Sequence, residues 1–360
     1  MVARYLLTIS FVLLSVNALF IEVGFFEGIV EKNLLRLVVI TIILFTIILS
    51  RPKIKTSVII LMSLLASLGL VKFNIDQLTL VYMLLIVTAS AIFNKDELIR
   101  SLFIASSITF IFIFLFLALD VSYNEIRDFR NRSTYGLNGI GGPTLFFNIL
   151  FSFLILGCVH FHRIKKKIFE IVSIFACIYF YTETDVRGGA IAFIAFLAFQ
   201  YSMPFLVRFR TITFAIKILP VIFLNIAIVM SVLPNNEFYN ALLSNRPELY
   251  SILLEKITLS DVLLGASVKS YDLISIVDNS FIHLFIGGGM AFFVYYAYLH
   301  FFRMKALLVV KDYQKIAFIL GVSLYFFVES LAVRIENMFV ILYWVILFTG
   351  INHKPLKRHE

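Results

Sequence analysis

Charged residues are scarce in this chain, and their scarcity argues against a water-soluble protein. Of the 360 residues, 15% are charged and 61% are hydrophobic, and the mean hydropathy is +0.97. A soluble core cannot hide that much apolar surface, whereas lipid can solvate it. The composition therefore predicts an all-α polytopic membrane protein, with residues 1–360 forming one integral membrane domain.

Several further signatures are missing. The only cysteines, Cys158 and Cys177, lie in apolar runs, which excludes a disulfide framework. No acidic, histidine or cysteine residues have the spacing of metal ligands, so we expect neither a metal nor a cofactor. The first apolar run follows one basic residue, Arg4, and lacks a small-residue cleavage site before Glu22, which favours a retained helix over a signal peptide. No internal repeat of 20 to 50 residues is apparent.

About twelve apolar runs are long enough, or nearly so, to cross a bilayer. Several are shorter than the ~20 residues that a straight crossing needs, so we expect some helices to end inside the protein or beside a water-filled cavity. The predicted spans are 5–21, 34–50, 56–71, 77–93, 102–119, 144–160, 168–182, 188–203, 214–233, 279–300, 316–332 and 338–351.

The distribution of charge predicts which helix ends face the cytoplasm. With the N-terminus inside, 20 of the 31 Lys and Arg residues lie on the cytoplasmic side, whereas 17 of the 22 acidic residues lie on the other. This asymmetry obeys the positive-inside rule, so we expect a multi-pass protein of the cytoplasmic (inner) membrane with both termini cytoplasmic. The net charge of +9 then faces anionic lipid head groups, which makes the lipid bilayer the expected partner rather than nucleic acid.

Two long polar loops are predicted on the outer side. Residues 234–278 join the ninth and tenth helices, and residues 120–143 carry three arginines, among them Arg132. Within the longer loop, residues 251–264 have an apolar face and a charged face. This pattern predicts a helix that lies along the outer membrane interface and covers the site.

Two arginines on the outer side are candidates for anion binding. Arg187 stands at the start of the eighth helix beside two glycines, and Arg246 precedes a Pro-Glu pair typical of a helix start. A helix N-terminus favours an anion, and a guanidinium adds a planar fork suited to phosphate oxygens, so both together would suit a diphosphate. The alternative is structural: Arg187 pairs with Glu183 or Asp185 or reaches the head groups, and Arg246 is a solvated loop residue.

The end of the longer loop offers a candidate base. Asp278 stands where the tenth helix begins, and two roles are open to it: a general base or a helix cap. Asn279 and His283 are four residues apart and share a helical face, although such a histidine is more often a hydrogen-bonded interior residue than a catalyst. Gly287 to Gly289 are interpreted as permitting close helix contact rather than ligand binding.

Four segments, taken together, resemble the O-antigen polymerases and O-antigen ligases. The resemblance runs from about residue 127 to residue 289, and it lies in the order and spacing of the segments. They are RSTYGLNGIGGPTLFF (132–147), TETDVRGGA (182–190), NRPELYSILLEKI followed by LLGAS (245–267), and DNSFIHLFIGGG (278–289).

This resemblance implies a glycosyltransferase C-like fold with one long extracytoplasmic loop. It also implies transfer of undecaprenyl-diphosphate-linked glycans at the outer face of the cytoplasmic membrane. Aspartate at position 278, where the ligases usually have histidine, favours the polymerases. The implied catalytic residues are Asp278, Arg187 and Arg246, and the implied substrate-binding residues are Arg132, Asn245, Asn279 and His283.

The leading hypothesis is therefore a metal-independent polymerase of O-antigen or capsular-type polysaccharide. Its expected partners are a lipid-linked glycan donor and acceptor, together with a chain-length regulator and a flippase. Two alternatives stay open: a ligase that passes lipid-linked glycan to an acceptor, and a flippase or transporter of the repeat unit. A transporter should show related halves and a midplane site, whereas the charges here cluster at one face.

Overall fold

Helices account for nearly all of the chain that the structure describes. The computed structural model describes residues 2–23, 29–52, 56–127, 132–137, 142–161, 163–232, 246–268 and 278–349. The elements in these ranges are α1 (Val2–Val23), α2 (Ile29–Ser50), α3 (Thr56–Val71), α4 (Ile75–Ser90), α5 (Lys95–Ala118), β1 (Ile126–Arg127), β2 (Arg132–Ser133), α6 (Gly142–His160), α7 (Arg163–Thr184), α8 (Arg187–Leu206), α9 (Arg210–Lys217), α10 (Leu219–Ser231), α11 (Arg246–Lys256), α12 (Leu259–Leu264), α13 (Ser280–Val309), α14 (Tyr313–Val328) and α15 (Met338–Thr349).

Apolar helices of membrane-spanning length make this a multi-pass membrane protein. Within the described ranges, five helices are long and apolar enough to cross a bilayer, namely α1, α5, α6, α8 and α13. The pair α9 and α10, bent by 78°, would be a sixth, and five shorter apolar helices accompany them. Within the described ranges each predicted span lies mainly in helical chain, but the total of twelve crossings stays a prediction.

The break between α9 and α10 divides the predicted ninth span, 214–233. Pro220 stands in the first turn of α10, where its missing N–H has no helical partner to lose. The same proline cannot continue a preceding helix, because its ring clashes with the carbonyl four residues earlier. One apolar run therefore becomes two helices.

Helix α15 lies at the centre of the bundle. Every residue from Met338 to Phe348 is buried, and the helix packs against α4, α5, α6, α13 and α14. A helix that is apolar on all sides must be surrounded by protein or lipid. Because α15 is surrounded by protein, its first residue, Met338, is used below as the point from which the depth of neighbouring groups along the helix axis is measured.

The start of α5 shows how polar residues define the helix ends. The Asn94 side chain accepts a hydrogen bond from the Glu97 amide (2.9 Å), and the Glu97 carboxylate accepts one from the Asn94 amide (3.4 Å). This reciprocal pair is a capping box. Arg4 on α1 donates to the same Glu97 (2.7 Å), which places two helix ends together that were predicted on one side of the membrane.

Helix α13 contains a chain reversal that sequence reasoning missed. Its 30 residues are interrupted at Gly289, where φ is 77° and ψ is 167°, a conformation that favours glycine. Phe281 and Tyr296 would be about 22 Å apart along a straight helix, yet their rings lie 6.5 Å apart. The chain therefore folds back at Gly289, into a short arm (280–288) and a long arm (290–309).

The long arm is about 30 Å long, which is the thickness of the hydrocarbon core. The predicted tenth span, 279–300, is thus wrong in shape, because it joins both arms into one helix. The prediction that the glycines permit close contact is confirmed. A Cβ atom on Gly287 would lie 3.0 Å from Asp76, and one on Gly289 would lie 2.8 Å from the Gly265 amide.

The short arm is held from outside by α4 and by the segment after α12. The Asn74 side chain donates to the Gly287 carbonyl (3.2 Å), and the Ala266 amide donates to the Ile286 carbonyl (2.9 Å). Asp76 is buried and accepts a hydrogen bond from a backbone amide of the same segment. The turn that begins α4 therefore supports the reversal.

The predicted interfacial helix, residues 251–264, is wrong as a single element. The chain there forms α11 and α12, separated at Thr258, whose hydroxyl accepts a hydrogen bond from the Asp261 amide (3.3 Å). Asp261 in return accepts one from the Thr258 amide (3.1 Å), so a capping box starts a new helix. Tyr250 and Leu253 form part of the buried face of α11, which packs against α10. Its position on a membrane interface stays a prediction.

Candidate functional site

Five charged side chains from distant parts of the chain converge on one place. The carboxyl groups of Asp278 and Glu329 both interact electrostatically with Arg246 and Arg334. Glu329 also interacts with Arg132 and with Asp278. Arg132 lies in β2, Arg246 begins α11, and Asp278 precedes the short arm. Glu329 and Arg334 lie in the connection between α14 and α15. We call these five residues the carboxylate–arginine cluster.

Ser280 fixes the two carboxyl residues as neighbours. This fully buried side chain donates to the Glu329 carbonyl (2.7 Å) and accepts from the amides of Leu331 (2.8 Å) and Ala332 (2.9 Å). The stretch that follows α14 is thereby clamped onto the first turn of the short arm. Because Asp278 lies two residues before Ser280, the clamp holds both acidic residues at the same point.

The cluster lies partly below the ends of the helices. The Ala332 carbonyl accepts a hydrogen bond from the Trp344 indole (2.7 Å). Trp344 is the seventh residue of α15, so this contact lies about 9 Å below the helix start. Tyr296 and Trp344 are fully buried beside it. Both carboxyl residues are half-buried and Arg334 is exposed, so the cluster lies partly below the surface. We call this place the recess, and charges there interact more strongly than in bulk water.

Burial changes the proton affinity of both carboxyl groups. Burial and the nearby charge of Asp278 raise the pKa of Glu329 to about 8, although Arg246, Arg334 and Arg132 oppose the shift. Burial also raises the pKa of Asp278, against the effect of Arg246 and Arg334. Three guanidinium groups outnumber two carboxyl groups at any pH, so the recess has surplus positive charge for an anion.

Arg246 connects α11 to both sides of the cluster. Its Nη2 donates to the Val328 carbonyl (2.8 Å), at the end of α14, where the helix itself supplies no donor. One turn along α11, the Tyr250 hydroxyl donates to the Asp278 carbonyl (3.4 Å). Burial raises the pKa of Tyr250 to about 12, which keeps this hydroxyl protonated. The predicted helix start at Arg246 is confirmed.

Asn279, and not Asp278, is the helix cap. Its side-chain oxygen accepts from the amides of Phe281 (2.9 Å) and Ile282 (3.2 Å), so the cap role considered for Asp278 belongs to its neighbour. The Asn279 amide nitrogen is fully buried near the Tyr250 hydroxyl, but no acceptor in the described part of the chain has hydrogen-bond geometry to it.

Comparisons with known proteins do not assign the chain to a family. Models of protein families, curated proteins and solved structures give no significant match. The resemblance to O-antigen polymerases and ligases therefore depends on the four segments alone, and the functional interpretation depends on the geometry of the recess.

The other predicted site residues lie around the cluster or outside the description. His283 is half-buried one turn along the short arm, with its amide bonded to the Asn279 carbonyl (3.1 Å). Arg132 is half-buried in a two-residue antiparallel ladder, opposite Arg127. Asn245 lies outside the described residues.

Arg187 begins α8, as predicted, but its contacts are those of the structural alternative. Its side chain is 64% exposed, and its Nε donates to Asp185 (3.1 Å). The next residue, Gly188, lies against the cluster: a Cβ atom there would be 2.7 Å from Val328 and 3.9 Å from the Glu329 carboxyl group. The close approach expected at these glycines is made by α14 at Gly188 and by both α6 and α14 at Gly189.

Glu329 and Arg334 were missed as site residues. The predicted eleventh span, 316–332, ran through Glu329, whereas α14 ends at Val328 and leaves the carboxyl group in the recess. An acidic residue inside an apolar run is itself a signal of function, and it could have identified Glu329. The end of α14 at Val328 agrees with the prediction that some of the shorter apolar helices end inside the protein.

Proposed function

We propose that the chain is a membrane glycosyltransferase that polymerises undecaprenyl-diphosphate-linked repeat units at the outer face of the cytoplasmic membrane. The supporting observation is the carboxylate–arginine cluster on the predicted outer side, in which two arginines interact with both carboxyl groups and a third interacts with Glu329. Arginine binds phosphate oxygens through two parallel hydrogen bonds, and a carboxylate can take a proton from a hydroxyl group. A lipid-linked diphosphate donor and a sugar acceptor need both.

The transfer follows from these groups. The acceptor hydroxyl oxygen attacks the anomeric carbon of the donor sugar, and the bond from that carbon to the diphosphate oxygen breaks. The diphosphate leaves with the electron pair, and Asp278 takes the hydroxyl proton. Arg246 and Arg334 stabilise the negative charge that develops on the leaving diphosphate, since both already lie close enough to Asp278 to interact with its charge.

Deletion of the gene separates the three candidate functions. A polymerase predicts that lipid anchors carrying a single repeat unit accumulate, and that the intact gene restores long polymer. Mass spectrometry of extracted lipids makes this measurement. Long polymer that is not attached to its final acceptor would instead identify a ligase, and units trapped on the cytoplasmic side would identify a transporter. A chain-length regulator and a flippase are the proposed partners.

Transfer is also proposed to be independent of metal. Among the described residues, no three His, Cys, Asp or Glu side chains are grouped closely enough to share a metal ion. With purified protein in lipid vesicles and lipid-linked units extracted from the deletion strain, the rate should be unchanged after thorough chelation. A rate that falls on chelation and returns with added divalent cation would contradict this proposal.

Replacing Arg187 with lysine tests whether this exposed arginine binds the donor. Lysine keeps the charge but loses the planar fork, so diphosphate binding through that fork predicts a rate about tenfold to a hundredfold lower. Arg210→Lys is the matched control, because Arg210 also begins a helix and is exposed, but lies on the predicted cytoplasmic side. Equal, wild-type rates in both variants would assign Arg187 to its ion pair with Asp185.

A further inference from the structure

The proposed transfer uses only one of the two carboxyl groups in the recess. Glu329 lies beside Asp278 because Ser280 clamps the backbone of both segments together. It follows the last residue of α14 in an extended conformation, and the glycine backbone at the start of α8 lies against its carboxyl group. No predicted role accounts for a second acid at this point.

We propose that Glu329 is a second catalytic residue, which keeps its proton and donates a hydrogen bond to the departing diphosphate while Asp278 acts as the base. This role rests on the proposed function. It assigns opposite protonation states to two neighbouring carboxyl groups, as happens when like charges share a confined site.

The surroundings favour Glu329 as the group that holds the proton. Its backbone carbonyl is held by Ser280 at the end of α14, and a Cβ atom on Gly188 would lie 3.9 Å from its carboxyl oxygen. Burial raises its pKa to about 8, so the neutral acid predominates at pH 7. A neutral acid adds no repulsion to a diphosphate, whereas two carboxylates would cancel most of the charge of three arginines.

The proton balance is simple. The acceptor hydroxyl gives its proton to Asp278, the sugar–diphosphate bond breaks, and the diphosphate oxygen takes the electron pair. The Glu329 hydroxyl donates a hydrogen bond to that oxygen and keeps its proton. Asp278 then releases the transferred proton to water, which returns both groups to their starting state.

The sign of the pH dependence follows from this assignment. The protonated form of Glu329 is the active one, so activity should be present below about pH 8 and lost as the pH rises through that value. Asp278 must be ionised, so activity should also fall as the pH drops through its raised pKa. The charged or titratable groups that face Glu329 are Asp278, Arg246, Arg334, Arg132 and Tyr325, with the Arg187–Asp185 pair at the start of the adjacent α8.

The test measures initial rates of the full-length protein in lipid vesicles between pH 6 and pH 10, with lipid-linked units extracted from the deletion strain. Wild-type rates should fall about tenfold per pH unit above about pH 8. Glu329→Gln keeps an N–H donor but cannot ionise, so its rate should stay within about tenfold of wild type at pH 7 and not fall at high pH. Glu329→Ala should be about a hundredfold slower than the wild type at pH 7 and should show no further fall at high pH.

Glu336→Gln is the matched control. Glu336 lies in the same connection, is paired with Arg36 (2.9 Å), and should keep the wild-type pH profile when replaced. Thermal unfolding in detergent verifies that each variant is folded. If Glu329→Gln does not fold, Glu329→Asp replaces it, and this shorter acid should move the alkaline limb to a different pH.

Two results would overturn the assignment. A folded Glu329→Gln protein that keeps the wild-type alkaline limb would show that Glu329 does not set it. A folded Glu329→Gln protein that is inactive at every pH would show that a neutral donor is insufficient. In both cases wild-type transfer leaves the proposed function intact, whereas a wild-type protein without transfer activity would defeat the proposed function and the role of Glu329 together.

Discussion

Replacing Asp278 with asparagine is expected to lower polymer formation about a hundredfold to ten-thousandfold while expression and membrane insertion stay unchanged. Asparagine has the shape of aspartate but cannot take a proton from the acceptor at neutral pH. The helix start should survive, because Asn279 caps the short arm and Asp278 does not. The effect should therefore be chemical rather than structural.

Polymer length on a gel, in deletion cells that carry each variant, measures the Asp278 effect. His283→Ala is the comparison variant, because His283 lies one turn along the same arm and is predicted to have a smaller effect. Normal polymer with Asp278→Asn would remove Asp278 as the base. Complete loss with His283→Ala alone would transfer that role to His283.

The pH profile of the same variant gives a second, independent readout. The charge of Asp278 is one of the causes that raise the pKa of Glu329. Removing that charge should lower the pKa of Glu329, so any residual activity of Asp278→Asn should begin to fall at a lower pH than in the wild type. An unchanged alkaline limb would mean that the charge of Asp278 does not affect the pKa of Glu329.

Replacing Arg246 with alanine is the second change with a large expected effect, a loss of turnover of about a hundredfold or more. One charge-assisted hydrogen bond to diphosphate is worth about 1.5 to 3 kcal/mol, which is about tenfold to a hundredfold in rate. The change also removes the donor to the Val328 carbonyl and a positive charge beside both carboxyl groups. The pKa of Asp278 should then rise further, so the acid limb of the pH profile should move upward.

Controls separate binding of the diphosphate from support of the fold. Arg246→Lys keeps the positive charge, so its acid limb should lie closer to that of the wild type than the acid limb of Arg246→Ala does. Its rate should still be below that of the wild type, because lysine lacks the planar fork. Arg36→Ala removes another arginine predicted on the outer side, paired with Glu336, and should leave turnover within a few fold of wild type. Full activity of a folded Arg246→Ala protein would leave Arg246 with its bond to the Val328 carbonyl and no role in turnover.

The class of the protein and most of its helices follow from the sequence alone, because both depend on local properties. The length of an apolar run decides whether it can cross lipid, and within the described ranges each predicted span does lie mainly in helical chain. The breaks were also local and could have been found. Pro220 interrupts the ninth span, and Thr258 with Asp261 forms a capping box inside the predicted interfacial helix.

Three members of the cluster, Arg132, Arg246 and Asp278, were predicted from the sequence, but their meeting was not. Only the tertiary structure decided that meeting, since it depends on the reversal at Gly289 and on the clamp at Ser280. Neither has a sequence period that distinguishes it from an ordinary membrane helix. The acidic residue Glu329 was a signal within its apolar run, but the end of α14 just before it was not, because hydropathy measures how long an apolar run is, whereas packing against neighbouring helices determines where the helix ends within it.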